Sequence, residues 1–268
     1  DRGQDAGLAF HAWSRAFAAD PADESVRGEV DRLAASLGAW DEQVAAYESA
    51  VQATQDTHVQ TQLLNVVART HDERRGDPRA AIETYERLAA LDDADLSALD
   101  ALEGLHTMVG DWRGLVDVLE RKVERRFDPV ERAELLRRAA SVLEELLGDP
   151  ASAIAMYQRA YEEDPDDAIS LESLDRLYAA ASRFPELATV LNRRLEVEEE
   201  DDVRVEVGLR LGQLAETQLG EPRQAIDALM RVTEISPTQP QALESLGRLF
   251  EREGLYTELL ENLQTRAS

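Results

Sequence analysis

Three tripeptides recur along this chain at a constant spacing, and that spacing constrains the fold more than any other feature. They are Gly76-Asp77-Pro78, Gly148-Asp149-Pro150 and Gly220-Glu221-Pro222, and successive ones are 72 residues apart. One more step of the same length back from the first tripeptide reaches Gln4, and the residues that follow it still match. A fixed period marks a solenoid, in which each unit buries its apolar face on its neighbours.

The period divides the chain into units of approximately residues 4–75, 76–147, 148–219 and 220–268. Because a solenoid has no single closed core, we interpret residues 1–268 as one continuous array. The chain lacks an initiator methionine and starts near the beginning of a repeat helix. We therefore expect it to be a fragment of a longer array or a processed product.

Each unit contains four helical stretches, which in the second unit span residues 78–91, 94–109, 112–125 and 129–147. Leu, Ala, Glu and Arg, the residues that dominate these stretches, favour helices. No segment alternates apolar and polar residues over the length of a strand. The sequence therefore predicts an all-α fold.

The breaks between the stretches have local causes. Gly148 can adopt the left-handed conformation that ends a helix, Asp149 can cap the next helix, and Pro150 suits its first turn. Other helices end at Gly38, Gly110 and Gly254, and Ser182 takes the equivalent place in the third unit. The intervals between these breaks alternate between 34 and 38 residues. Two kinds of helical hairpin therefore alternate, and we assign the additional turn to long helices over residues 129–147 and 203–219.

Charge excludes several classes of partner. The chain has 29 basic and 55 acidic side chains, a net charge of −26. This excess argues against general nucleic-acid binding and against an anionic membrane surface. No apolar stretch reaches membrane-spanning length and no signal peptide opens the chain, so we expect no direct membrane insertion. A cytoplasmic location is favoured, with a periplasmic or envelope-associated one as the alternative.

Several residues match the pattern of a known repeat. Leu211-Gly212 and Leu246-Gly247 form a leucine–glycine pair in a first helix, and a second helix carries Ala153, Tyr157, Ala160 and Pro165. This pattern resembles the tetratricopeptide repeat (TPR) family, whose unit is ~34 residues long. The resemblance implies a right-handed superhelical α-solenoid of stacked antiparallel helix hairpins, about 15 helices in all. The chain departs from the family in its longer alternate hairpins, and in Val67-Ala68 and Ala139-Ala140, which replace the leucine–glycine pair.

No catalytic constellation stands out. The histidines at positions 11, 58, 71 and 106 form no metal-binding pair at helical spacing, and the glycines form no phosphate-binding loop. The chain also contains no cysteine, which excludes a thiolate metal site. We therefore expect no enzymatic activity, no cofactor and no metal.

One polar pattern indicates a binding surface. The resemblance places the first helix of each hairpin on a concave face, where these side chains would project: Arg32, Asn65, Arg69, Arg137, Arg176, Gln213 and Arg248. A row of arginines in an acidic protein predicts a preference for an acidic segment or a peptide C-terminus. In the alternative, Arg248 and Arg176 pair along their own helices with the glutamates four residues before them.

The most direct functional hypothesis is a non-catalytic protein–protein interaction scaffold that presents a concave groove to a peptide or protein. The alternative is a structural spacer within a long repeat protein, and a more remote one is a ligand sensor or an enzyme. Apolar residues near both ends, Phe10 and Trp13 at one and Leu259 and Leu263 at the other, predict end-to-end self-association.

Overall fold

The computed structural model describes residues 2–91 and 96–267. Within those ranges the chain forms fifteen α-helices and no β-strand, as the sequence predicts. The helices are α1 (Arg2–Ala19), α2 (Glu24–Leu37), α3 (Trp40–Ala53), α4 (Thr57–Arg69), α5 (Pro78–Leu91), α6 (Leu96–Val109), α7 (Trp112–Glu124), α8 (Pro129–Ser141), α9 (Pro150–Glu163), α10 (Ala168–Ala180), α11 (Phe184–Val197), α12 (Asp201–Leu214), α13 (Pro222–Ile235), α14 (Pro240–Glu253) and α15 (Tyr256–Ala267).

The predicted helices of the second unit agree with those observed to within a few residues. Helix α5 has the predicted bounds, and α7 ends one residue before the predicted end. The predicted start at Ala94 lies outside the described residues. Even-numbered helices are the first helices of hairpins, and odd-numbered helices from α3 onward are the second helices.

The additional residues of the longer hairpins lie where we assigned them. Helices α4, α8 and α12 each continue into a π-helical turn, over Thr70–Arg75, Val142–Leu146 and Ala215–Leu219. The turn over Thr70–Arg75 closes with the Gly76 N–H donating to the His71 carbonyl, and the turn over Ala215–Leu219 closes in the same way at Gly220. The first helices of the other hairpins end without such a turn.

The helix breaks also have the predicted chemistry. Asp149 caps α9 by accepting a hydrogen bond from the Ser152 N–H at 3.1 Å, and Pro150 is the first residue of that helix. Gly148 has a φ of 62°, and Ser182 has a φ of 55°. Ser182 is the only non-glycine residue with positive φ in the described part of the chain, which shows that the repeat imposes the left-handed turn even without glycine.

The chain forms two compact units, Asp1–Arg125 with α1 to α7 and Arg126–Ser268 with α8 to α15. Within each unit, successive helices pack on one another, which is the packing of an α-solenoid. In the first unit Val30, Leu64 and Leu102 are at most 1% exposed, and in the second Leu174 and Leu249 are equally buried. Such leucines each contribute roughly 1.5–3 kcal/mol to stability.

Three of the four short hairpins have a buried or half-buried carboxylate that was not predicted from the sequence. Asp31, Glu103 and Asp175 occupy the glycine position of the leucine–glycine pair. The Glu103 carboxylate lies 2.6 Å from Nζ of Lys122, and the Asp175 carboxylate lies 2.6 Å from Nη1 of Arg194. In the long hairpins the same position holds a small residue: Ala68, Ala140 or Gly212. The fourth short hairpin also has a small residue here, Gly247, so the carboxylate distinguishes three short hairpins from all the others.

The two ends of the chain differ in the exposure of their apolar side chains. The prediction that Phe10 lies on an exposed apolar face is wrong. Phe10 is 3% exposed and belongs to the core that α1 forms with the following helices. Trp13 is 36% exposed. At the other end Leu263 is 47% exposed, whereas Leu191, its equivalent 72 residues earlier, is 1% exposed.

Within residues 2–91 and 96–267, no helix is both long enough and apolar enough to cross a membrane.

Shortening a core leucine tests the neighbour-by-neighbour packing. Leu174→Ala should lower the free energy of unfolding by about 2–5 kcal/mol, because Leu174 is 1% exposed. Removing the exposed Arg223 side chain with Arg223→Ala should change it by less than about 0.5 kcal/mol. In Leu174→Ala, amide hydrogen exchange should accelerate in α9 and α11 more than in α14. A uniform acceleration over the second unit would contradict one-dimensional coupling.

A buried histidine makes stability depend on pH. Burial, and then the charge of Arg75, lower the pKa of His71 below its usual range. Arg75 Nη1 lies 2.7 Å from His71 Nδ1, and since a guanidinium can only donate, that nitrogen accepts and the folded ring is neutral. The unfolded chain therefore binds a proton at a higher pH than the folded one. The contribution of the neutral His71 to stability is therefore fully present above the ordinary histidine pKa of about 6.5 and is lost as the pH falls below it.

The test compares melting temperatures at pH 7.5 and pH 5.5. His71→Leu introduces the residue found at the equivalent position, Leu143. It should lose less stability on acidification than the wild type, by at most about 1.4 kcal/mol per pH unit. His58→Gln, at an exposed histidine of the same unit, should follow the wild type. Equal acid sensitivity in His71→Leu and the wild type would refute the role of His71.

Candidate partner-binding site

All seven candidate side chains lie on first helices of hairpins. In the first unit Arg32 is on α2, and Asn65 and Arg69 are on α4. In the second unit the candidates are distributed one per first helix, with Arg137 on α8, Arg176 on α10, Gln213 on α12 and Arg248 on α14.

In the first unit both arginines pair locally. Arg32 Nη2 lies 2.7 Å from Glu29 on the same helix, and Arg69 Nε lies 3.1 Å from Glu73 in the π turn that follows. Both guanidinium groups remain largely exposed. Exposed pairs of this kind contribute little to stability, so a ligand could displace either glutamate at small cost.

In the second unit two of the arginines hold neighbouring hairpins together. Arg137 Nη1 lies 2.7 Å from Asp167, which caps α10 and is 8% exposed, so this guanidinium is committed to the fold. Arg176 forms two hydrogen bonds with Glu144 of the preceding first helix, one of them at 2.9 Å. Arg176 therefore pairs between hairpins and not along its own helix, where Glu172 contacts Arg194 at 3.4 Å.

The structure brings Gln213 and Arg248 together in a cleft between α12 and α14. The cleft has a volume of ≈ 580 Å³. It is lined by Leu209, Gly212, Gln213, Glu216, Thr217, Leu229, Gln241, Glu244, Ser245, Arg248 and Arg252. Carboxamides on both walls, from Gln213 and Gln241, offer donors and acceptors of the kind that an extended peptide backbone needs.

Gly212 keeps the floor of this cleft close to α13. A Cβ atom at Gly212 would lie 2.7 Å from Cγ of Leu229, closer than two carbon atoms can approach. The absence of a side chain therefore lets α12 and α13 pack tightly, with Leu229 forming the apolar base.

Two guanidinium groups in the cleft share one carboxylate. Glu216 lies 3.8 Å from Arg248 and 3.6 Å from Arg252, both beyond hydrogen-bond distance. Arg248 also donates to Ser245 at 3.1 Å, and Arg252 donates to Glu253 at 3.3 Å. Neither forms the two-bond fork that Arg176 makes with Glu144. Since a fork is the strongest geometry for an arginine and a carboxylate, both groups retain capacity for an incoming anion.

A second, smaller cleft lies in the first unit between α2 and α4. It has a volume of ≈ 240 Å³ and is lined by Asp31, Ala35, Trp40, Gln43, Val66, Arg69, Thr70, Glu73 and Arg74. The Arg74 guanidinium carbon lies 5.3 Å from the centre of the Trp40 ring. Of the candidate residues, Arg69 lines this cleft.

Three residues that line the two clefts, Arg252, Gln43 and Asp31, were not predicted from the sequence. Arg252 has Ser36, Met108 and Ala180 at its equivalent positions, so the 72-residue alignment already marks it as exceptional. Gln43 likewise has a leucine at each equivalent position. For Arg252 and Gln43, the departure from the residues at equivalent positions of the repeat could have identified them from the sequence.

No group of three metal-binding side chains converges anywhere in residues 2–91 and 96–267.

Comparison with known proteins gives one family match. Residues 134–167, which cover most of α8 and all of α9, match the tetratricopeptide repeat. No curated protein matches the chain.

Several solved structures match this chain at low identity and with low TM-scores. The crystal structure of MamA is 20% identical, covering 62% of this chain and 92% of its own, with a TM-score of 0.36. YrrB, described as a TPR protein with an unusual peptide-binding site, is 16% identical over 75% of this chain and 98% of its own, with a TM-score of 0.36. PilF of Pseudomonas aeruginosa is 14% identical over 91% of this chain and 98% of its own, also at 0.36.

Proposed function

Since this chain is a TPR-like array, we propose that it is a scaffold that binds a protein or peptide segment in the cleft between α12 and α14. Arrays of this kind act in general as protein–protein interaction surfaces. The cleft supports this proposal because it combines an apolar base, carboxamides on both walls and two incompletely paired guanidinium groups.

The chemistry of the cleft favours an acidic side chain or a C-terminal carboxylate. A ligand carboxylate between Arg248 and Arg252 could form the forked hydrogen bonds that Glu216 does not make. The net charge of −26 repels such a ligand at long range, and at physiological salt its field is screened beyond about 8 Å. Selectivity would therefore arise within the cleft, and association should accelerate as salt is raised.

The spacer alternative differs in one observable respect. A spacer needs only to propagate the repeat, so its cleft residues should be as unimportant for binding as any other surface residues. The presence of Arg252 at a position where the repeat otherwise has Ser, Met or Ala favours a dedicated site.

Selection from a random peptide library with free carboxyl termini tests the binding proposal. Peptides enriched on the full chain should be rich in Asp and Glu, or share a C-terminal motif. The double variant Arg248→Ala, Arg252→Ala should weaken their binding by about tenfold or more, since each charged hydrogen bond contributes roughly 1.5–3 kcal/mol.

The matched control removes two exposed arginines elsewhere, with Arg79→Ala and Arg223→Ala, so that net charge changes equally. Affinity for the selected peptides should remain within about twofold in this control, because distant exposed charges are screened. Predominantly basic peptides, equal losses in both double variants, or no enrichment at all would each overturn the proposal, and the last would favour the spacer.

We further propose that the exposed face of α15 mediates end-to-end self-association. Tyr256 is 72% exposed and Leu260 is 58% exposed, whereas Ala188, the equivalent of Leu260, is 2% exposed. Sedimentation velocity should show a sedimentation coefficient that rises with concentration. Leu260→Gln with Leu263→Gln should abolish the rise without unfolding the chain, because both side chains are exposed. A wild-type chain that stays monomeric at high concentration would refute this.

A further inference from the structure

In two short hairpins the carboxylate on the first helix pairs with a cation on the second helix of the same hairpin. In a third short hairpin it does not. Glu103 pairs with Lys122, and Asp175 pairs with Arg194. These two cations are 72 residues apart, and the same position in the first hairpin holds Ala50, which is fully buried. Asp31, the corresponding carboxylate, forms no ion pair with any residue among 2–91 and 96–267.

Two neutral side chains partly replace the missing cation. Gln43 Nε2 and Tyr47 Oη each donate to Asp31 at 2.7 Å, and both donate to the same oxygen, Oδ1. Elsewhere in the repeat these two positions are leucines: Leu115 and Leu187 for Gln43, Leu119 and Leu191 for Tyr47. The first hairpin therefore departs from the pattern in a coordinated way. The Oδ2 atom of Asp31 receives no hydrogen bond from the described residues.

Gln43 carries a second unpaired acceptor. Its side chain is 5% exposed, and its Oε1 atom has no hydrogen-bond partner in the described part of the chain. An unpaired buried acceptor is unfavourable, and native structures rarely retain one without a reason. Both Gln43 and Asp31 line the cleft between α2 and α4, beside the ring of Trp40. A donor that enters this cleft would lie beside the Asp31 carboxylate, whose Oδ2 atom receives no hydrogen bond from the described residues.

Arg69 and Arg74 line the same cleft, but they and the nearby Arg27 contact groups other than Asp31. Arg69 pairs with Glu73 at 3.1 Å, Arg74 stacks over Trp40, and Arg27 donates to Gln62 at 3.2 Å. The cleft volume of ≈ 240 Å³ is smaller than the roughly 300–1,000 Å³ of pockets for drug-sized ligands, so it suits a single side chain.

We propose that the α2–α4 cleft binds a lysine or arginine side chain of a protein partner, which pairs with Asp31 as Lys122 and Arg194 pair with the equivalent carboxylates. A cation is favoured over a neutral donor because both complete examples within this chain use one. The net charge of −26 also attracts a basic partner at long range. This site lies on different helices from the α12–α14 cleft and selects the opposite charge, so each proposal can fail alone.

Small probes test the site on the full chain by NMR, at constant ionic strength. N-acetyl-lysine amide and N-acetyl-arginine amide, at millimolar concentrations, should shift the Trp40 indole and Gln43 carboxamide signals. N-acetyl-norleucine amide and N-acetyl-citrulline amide, which lack the charge, should not. Comparison of the two cationic probes shows whether an ammonium or a guanidinium is preferred.

Two variants then locate the interaction. Asp31→Asn should weaken binding of the cationic probes by about tenfold, whereas Glu42→Gln, an exposed carboxylate that does not line the cleft, should change it by less than about twofold. Ala50→Lys introduces the internal cation of the following units and should abolish binding. If either variant fails to fold, the other still decides the question. Equal shifts by charged and uncharged probes, binding that survives in Asp31→Asn, or no shift at all would overturn the proposal.

Discussion

Every hairpin depends on how closely its first helix approaches its second, and one position on the first helix controls that approach. In the long hairpins the position is small, as at Gly212, where a Cβ atom would lie 2.7 Å from Leu229. In three of the four short hairpins it is a carboxylate, which must be neutralised to be buried, and in the fourth it is Gly247. The carboxylate is found only in short hairpins. It therefore opposes a shift of register between short and long hairpins, because a carboxylate facing Leu229 would have no partner.

Within each compact unit, charged side chains also connect neighbouring hairpins. Arg87 reaches back to Glu48 and Arg121 reaches back to Glu86, each at 2.7 Å, and Arg210 contacts Asp175 at 2.6 Å. Much of the limited basic content is thus used between adjacent hairpins. The remaining acidic excess lies on the surface, which explains how an array with few cations can be both well paired internally and strongly negative outside.

Function in this array is best sought where one hairpin departs from the pattern of the others. Arg252 adds a guanidinium to its cleft at a position where the other short hairpins have an uncharged residue. Gln43 introduces an unpaired acceptor where the other short hairpins have leucine. A departure that costs stability and has no structural compensation is the expected mark of a site selected for binding. The two clefts select opposite charges, so one chain could hold two different segments.

The sequence alone determined the helices, their breaks and the alternation of two hairpin lengths, because these depend on local causes. Gly148, Asp149 and Pro150 end one helix and begin the next within a single turn, and the spacing of the leucines indicates which face of each helix is buried. It also placed the candidate arginines on first helices. Only the tertiary structure decided which of them are free. Arg137 and Arg176 pair with Asp167 and Glu144, partners about 30 residues away in sequence, and no local pattern encodes those contacts. The burial of Phe10 and the unpaired Gln43 were likewise decided by packing, since both depend on atoms that only the fold brings together.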